Sequence, residues 1–284
     1  MRRESTTADC VMLENRVFSV KKRFLAMYQK AHAGHVGSSL SCAELLVFLK
    51  FSWMRPPDSL LLSKGHAAAA LYSLLAEANR LTQTQIDSFY DEGTLLPALP
   101  PIRAIEEIPF ATGSLGYGLS LSAGMALGAR FKRQSRRFFC VTSDGELDEG
   151  SVWEAALFIA HHKLTNVVWI IDRNRVQAIG RTEEVMTLEP LDAKLRAFGY
   201  RVVGADGHDF ASLLAARDEC ASNAEAPDAP VAIIAQTVKG NGISFMQDTV
   251  DCHYQPLSDA EYQAALGELT RAHEARLAGY RNAD

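Results

Sequence analysis

Residues 138–181 read FFCVTSDGELDEGSVWEAALFIAHHKLTNVVWIIDRNRVQAIGR. Phe138–Thr142 and Val167–Ile171 are short apolar, β-rich runs, the pattern of strands buried on both faces. Between them Val152, Ala155, Ala156, Ile159 and Ala160 recur at helical spacing over Ser151–His161. Strand, helix and strand this close together predict a parallel βαβ unit with a right-handed crossover. The fold class that follows is α/β, a parallel sheet with helices on both faces.

Parallel neighbours end on one edge of the sheet, where open α/β sheets bind ligands. Asp144 follows the first strand and Asn174, 30 positions later, follows the second. A carboxylate, a side-chain amide and the nearby Val176 carbonyl make a hard-oxygen set suited to Mg²⁺, usually completed by water and phosphate oxygens. Gly145 lets the backbone approach a phosphate, and the helix from Ser151 offers the positive end of its dipole. An ordinary Asp-Gly turn uses the same residues, so spacing alone leaves both open.

Outward from this unit, 9–31 reads as an amphipathic helix whose Arg16, Lys21, Lys22 and Arg23 suit a solvated face. In AHAGHVGSSLSCAELLVFLKF (31–51), Gly34 and Gly37 bracket His35 in a tight turn, open either to a ligand or to a plain loop role. Ser41 and Glu44 fit a capping box opening a helix through Phe51. In SLLLSKGHAAAALYSLLAEA (59–78), Lys64 and His66 sit at a helix entry, a place that suits a diphosphate, although a salt bridge also accounts for Lys64. TGSLGYG (112–118) opens a helix rich in small residues. Leu191–Phe198 and Phe210–Ala221 read as helices, Tyr200–Val203 and Val231–Gln236 as strands, and 222–230 as a surface loop. His208, in the Asp206–Asp209 turn, suits a structural role. Residues 258–277 read as a charged helix.

A net charge of −5 disfavours nucleic acid or an anionic membrane as the main partner. No apolar run reaches the ~20 residues of a membrane span. The start, MRRESTTADC, lacks a signal-peptide core. Five widely spaced cysteines, odd in number and with no Cys-x-x-Cys, suit reduced thiols in a cytoplasmic protein.

Taken together, these stretches resemble the transketolase family of thiamine diphosphate enzymes. The acidic Asp-Gly turn followed by Asn174 is similar to the thiamine diphosphate signature, with Ser143 where the family usually has a first Gly. SDGELDEGSVWEA and IDRNRVQ look like transketolase. The turn around His35 is similar to a Gly-His-Pro-Gly stretch, with Val36 for Pro. TGSLGYG resembles Thr-Gly-Ser-Leu-Gly-Gln-Gly, with Tyr117 for Gln. TVKGNG and the later CHY (252–254) resemble Thr-x-Lys-Gly-x-Gly and Trp-His-Gly.

The resemblance implies that Asp144, Asn174 and the Val176 carbonyl hold Mg²⁺. It implies that Ser38, Lys64, His66, Gly113, Ser114, Leu115, Gly145, Glu146, Asn174, Lys239 and His253 bind thiamine diphosphate. His35, His66 and His253 take catalytic places beside the reacting centre. The cofactor supplies a carbanion that attacks a ketone. Residues 1–284 are then a single diphosphate-binding domain, the N-terminal subunit of a split enzyme. Its partner carries the pyrimidine-binding domain, and the assembly is a dimer of heterodimers. The reaction expected is transfer of a two-carbon ketol unit from a ketose donor to an aldehyde or sugar acceptor.

One departure bears on the donor. Where the family has Pro-Gly-His-Pro, whose His reads a donor hydroxyl, this chain has Pro97, Ala98, Leu99 and Pro100. Leucine makes no hydrogen bond, and an unpartnered buried hydroxyl costs about 1–3 kcal/mol. A 2-oxo acid such as pyruvate is therefore a competing donor. A non-catalytic stabilising subunit is a third reading.

Overall fold

In the computed structural model, which describes residues 2–102, 104–222 and 228–282, both apolar runs around Asp144 are strands. The elements in order are α1 (Arg2–Ala31), α2 (Val36–Phe48), β1 (Ser59–Leu62), α3 (Ala68–Glu77), α4 (Gln83–Asp87), α5 (Tyr117–Phe131), β2 (Phe138–Ser143), α6 (Gly150–His161), β3 (Val167–Arg173), α7 (Thr182–Val185), α8 (Leu191–Ala197), β4 (Arg201–Asp206), α9 (Phe210–Ala221), β5 (Val231–Gln236) and α10 (Asp259–Asn282). The strands form one sheet in the order β1-β2-β3-β5-β4, and every pair is parallel. β2 and β3 are direct neighbours, with Phe138 opposite Val167 and Ser143 opposite Asp172.

Side-chain alternation explains why these strands read as unbroken apolar runs. Phe139, Val141, Val168, Ile170 and Ile233 pack under α1, α2, α3 and α9. Phe138, Cys140, Trp169, Ile171 and Ile234 pack under α5, α6 and α8. Both faces are thus covered by helices. The predicted loop 222–230 lies partly outside the described residues.

Two local expectations need correction. α2 begins at Val36, not at Ser41, and all its residues are buried. Ser41 and Glu44 therefore do not cap a helix start. They serve buried polar contacts: Ser41 Oγ donates to Asp172 at 2.6 Å, and Glu44 pairs with Lys21 at 2.6 Å. The basic residues of α1 are not simply a solvated face either. Lys21 is 5% exposed, and Arg16 and Arg23 reach Glu77 on α3. A helix packed between two others needs its cations neutralised from those neighbours.

The stretch Val36–Trp53, α2 with its π-helical continuation, is long and apolar enough by composition to cross a membrane, but 83% of it is buried inside the protein. It is core. All five cysteines are free thiols.

Candidate functional site

The carboxyl ends of β1, β2, β3 and β5 open into one cavity of about 340 Å³. Each strand delivers polar residues at its exit. β1 gives Lys64 and His66, β2 gives Ser143, Asp144 and Gly145, β3 gives Asn174 and Val176, and β5 gives Lys239. The turn before α2 adds His35 and Ser38, the loop before α5 adds Leu99, Gly113 and Leu115, and a 3₁₀ turn at Asp251–His253 adds His253. Ser114 and Glu146 do not line it. Ser114 is exposed. The Glu146 carboxylate is turned inward, accepting from Ser63 Oγ, from Gly116 N at 2.8 Å and from Ser143 N at 3.2 Å. It fixes the glycine loop before α5 against β1 and β2.

Three imidazoles face one another across the cavity. The ring centroids of His35, His66 and His253 lie 5.2–5.4 Å apart in all three pairs. His35 has a left-handed backbone, φ 73°, and its N–H donates to the His253 carbonyl at 2.8 Å. This contact joins two segments more than 200 residues apart in sequence.

All three histidines are neutral. Burial pushes His66 well below the ordinary histidine value, helped by Lys64 and the other two rings. Burial and then Lys239 bring His253 down to about 3 and His35 down as well.

Lys239 is 2% exposed and meets no carboxylate within ion-pair range among the described residues. Its Nζ lies 2.6 Å from His253 Nδ1 and donates to the Val176 carbonyl at 3.0 Å. Burial lowers it to about 8. A buried ammonium without a counter-charge is stabilised when an anion arrives.

Lys64 differs. Its ammonium donates to Ser38 O at 2.9 Å, to Ser41 Oγ at 3.1 Å and to Asp172 Oδ2. Three donors are thus engaged, so toward the cavity Lys64 presents charge rather than a free N–H. Asp172 also accepts from Thr237 Oγ1. Burial acts to raise Asp172, but Lys64 outweighs it and holds the acid low.

Asp144 divides its two oxygens. Oδ2 accepts from Arg173 Nη1 at 2.9 Å, Arg175 N at 2.6 Å and Thr182 Oγ1 at 3.4 Å. Among the described residues, Oδ1 accepts only the adjacent Gly145 N–H, at 2.8 Å. Asn174 Oδ1 accepts from Val176 N at 3.1 Å. One carboxylate oxygen, one amide oxygen and one carbonyl thus line the same cavity, each with acceptor capacity to spare. Among the described residues no group of three His, Cys, Asp or Glu gathers to hold a metal. The set present is the oxygen-rich, single-acid kind that suits Mg²⁺ completed by phosphate oxygens. A Cβ on Gly145 would stand 2.7 Å from the Gln177 side chain, which would have to shift.

The sequence reading overlooked Asp172 and Arg173. A signal existed: an acid and a base closing the apolar run VVWII are out of place in a buried strand unless paired. Leu99 lines the cavity, whereas Tyr117 stands 57% exposed on α5 away from it.

Comparison with known proteins gives the family. The family described as "Transketolase, thiamine diphosphate binding domain" matches residues 15–273. The chain is 35% identical to the 6-deoxy-6-sulfo-D-fructose transketolase subunit SqwG of Clostridium sp. (strain MSTE9), over 91% of this chain and 96% of that protein. It is 33% identical to an apulose-4-phosphate transketolase subunit of Actinobacillus succinogenes, over 90% and 95% respectively. Among solved structures, the transketolase of Campylobacter jejuni superposes with a TM-score of 0.82 at 25% identity, covering 93% of this chain and 45% of that one. The chain therefore spans under half of that longer relative.

Proposed function

The chain belongs to the transketolase family, and on that premise we propose that it is the diphosphate-binding subunit of a split enzyme dependent on thiamine diphosphate and Mg²⁺. The reaction is transfer of a two-carbon ketol unit from a ketose-type donor to an aldehyde acceptor. The observation that carries this reading is the convergence of three neutral imidazoles, an uncompensated Lys239 and the Asp144–Asn174–Val176 oxygens in one cavity. Two relatives of nearly the same length are named as transketolase subunits. Their names support a partner chain, which in this reading carries the pyrimidine-binding domain and joins this one in a dimer of heterodimers.

Bound thiamine diphosphate would supply a nucleophilic carbon for attack on the donor carbonyl. The chain's own residues do the rest. Asp144 Oδ1, Asn174 Oδ1 and the Val176 carbonyl would hold the metal. Lys239 donates to the diphosphate, and Lys64 adds charge from behind. Gly113, Leu115 and Gly145 allow backbone approach. His35 and His66, neutral at pH 7, each offer one N–H and one acceptor nitrogen at the reacting end, the state needed to give and take protons, while His253, whose Nδ1 accepts from Lys239, offers its Nε2–H.

Leu99 favours a second reading, in which the same site takes an acyl unit from a 2-oxo acid, because an apolar side chain lines the cavity where a donor hydroxyl would need a partner. The retained polar set argues against a stabilising subunit without chemistry.

The test is calorimetric titration of thiamine diphosphate into the chain assembled with its partner, with and without Mg²⁺, followed by a donor panel. Mg²⁺-dependent binding and turnover of hydroxypyruvate or a ketose phosphate is the expected result. No binding overturns the reading, and turnover of pyruvate alone selects the second one. Turnover by the isolated chain refutes the need for a partner.

A further inference from the structure

The carboxyl end of β4, unlike those of the other four strands of the sheet, does not open into the cavity. Its exit turn carries His208, packed directly behind the Lys239 loop. Gly207 N donates to Gln236 O at 2.7 Å, and a Cβ on Gly207 would strike the Thr237 side chain at 2.4 Å. The turn is fastened at both ends: His208 N donates to Asp206 Oδ1 at 2.9 Å, and Asp209 caps α9 through Ala211 N and Ser212 N. The imidazole is thereby aimed at β5's exit.

Its two nitrogens face different groups. Nε2 accepts from Val238 N at 2.8 Å. A backbone N–H only donates, so Nε2 carries no proton and the proton of the neutral ring is on Nδ1. Nδ1 lies 3.2 Å from Glu44 Oε2, a buried carboxylate oxygen that makes no hydrogen bond among the described residues, and 3.0 Å from Asn241 Nδ2. The other Glu44 oxygen takes Lys21 at 2.6 Å and Asn241 Nδ2 at 3.3 Å. Glu44 belongs to α2, the helix whose entry carries His35 and Ser38 into the cavity.

We propose that His208 is a positioning residue: with Nε2 accepting from Val238 and Nδ1 turned to the Glu44 carboxylate, it clamps the Val238 amide and so fixes the neighbouring Lys239 ammonium on Val176 and His253. The inference rests on Lys239 being the diphosphate's cation only for its purpose. The contact itself stands on the geometry. Without His208, the Thr237–Gly240 segment keeps Thr237 N on Arg173 O, Asn241 N on Val238 O and Gly240 N on Gly37 O, but the Val238 amide beside Lys239 loses its partner.

The experiment uses the full chain without ligand, comparing His208→Ala with His208→Gln. Glutamine can accept from Val238 with its oxygen and donate to Glu44 with its nitrogen. Two readouts are local: hydrogen exchange at the Val238 amide, and acetylation of Lys239 at pH 8 followed by mass spectrometry. In the alanine variant both should rise about tenfold, while acetylation of the exposed Lys132 and exchange at Ile170 in β3 stay unchanged. In the glutamine variant both should stay close to wild type. Unchanged Val238 exchange and Lys239 labelling in His208→Ala overturns the proposal. Equal acceleration at Ile170 also overturns it, since the effect is then general loosening. A third measurement, pyrophosphate binding by calorimetry, separates the two readings. Failure of the wild-type chain to bind pyrophosphate counts against the proposed function, and exchange and labelling still decide the role of His208.

Discussion

Lys239 Nζ and His253 Nδ1 lie 2.6 Å apart, so the ammonium donates to a ring that must be neutral to accept it. The pair joins the exit of β5 to the 3₁₀ turn that returns His253 over the cavity. It also sets the charge state of the site.

Replacing Lys239 by Met should weaken pyrophosphate binding about 10- to 100-fold, because a charge-assisted hydrogen bond contributes about 1.5–3 kcal/mol and each 1.4 kcal/mol is tenfold. The wild type should also show a pH dependence. Free Lys239 gives up its proton at about 8, whereas a bound anion keeps it charged. Affinity is therefore complete below that pH and falls as pH rises through it. Calorimetry from pH 6.5 to 9.5 checks this, and the Met variant should lack the decline.

The ligand-free chain should lose stability on mild acidification. Folded His253 stays neutral down to about pH 3, while an unfolded histidine takes a proton near 6.5. Between these values the unfolded chain binds more protons. Stability thus rises with pH and is lost as pH falls from about 6.5 toward 3, at up to about 1.4 kcal/mol per unit for each such histidine. Urea unfolding at pH 7, 6 and 5 measures the slope, which His253→Asn should flatten.

Asp144→Asn should remove most of the Mg²⁺ dependence of cofactor binding. The carboxylate leaves, and Arg173 loses one of three acidic partners while keeping Glu183 and Glu189. Cofactor affinity at saturating Mg²⁺ should drop at least about tenfold, about 1.4 kcal/mol, as read by Mg²⁺ titration of the assembled enzyme.

The Lys64–Asp172 pair is buried at both ends, with side-chain exposures of 1% and 0%. Breaking such a pair by removing one partner costs about 3–5 kcal/mol. Asp172→Asn and Lys64→Met should each destabilise by that order in urea. The double variant should lose less than the two together, because neither change then strands a charge.

Leu99→His should shift donor preference toward a hydroxylated ketose donor. The introduced ring can satisfy a donor hydroxyl whose burial unpaired costs about 1–3 kcal/mol. A kcat/KM comparison between hydroxypyruvate and pyruvate reads the shift, and an unchanged ratio would remove Leu99 from the account of specificity.

The sheet was legible because β2, β3 and β5 are buried on both faces, so period and composition agree with the tertiary environment. Lys64, Asp144 and Asn174 were legible for a related reason: each follows directly on a strand, and strand exits share an edge, whereas His35 and His253 come from turns that only the family resemblance singled out. Ser41 and Glu44 misled because a capping box and two buried polar side chains one helical turn apart look the same in one dimension. Lys64 and Asp172 are 108 positions apart, and no local pattern reports that they neutralise each other. The role of His208 was hidden likewise, since its partners Glu44 and Val238 come from distant segments.

His35 sits at φ 73° with a side chain that L-residues place there at a cost of about 1–2 kcal/mol. Glycine at 35 would relieve that strain and delete the imidazole. The turn is thus a point where robustness and activity pull in opposite directions. A library screened for heat resistance alone should drift toward Gly or Asn at this position and return sturdier, idle proteins.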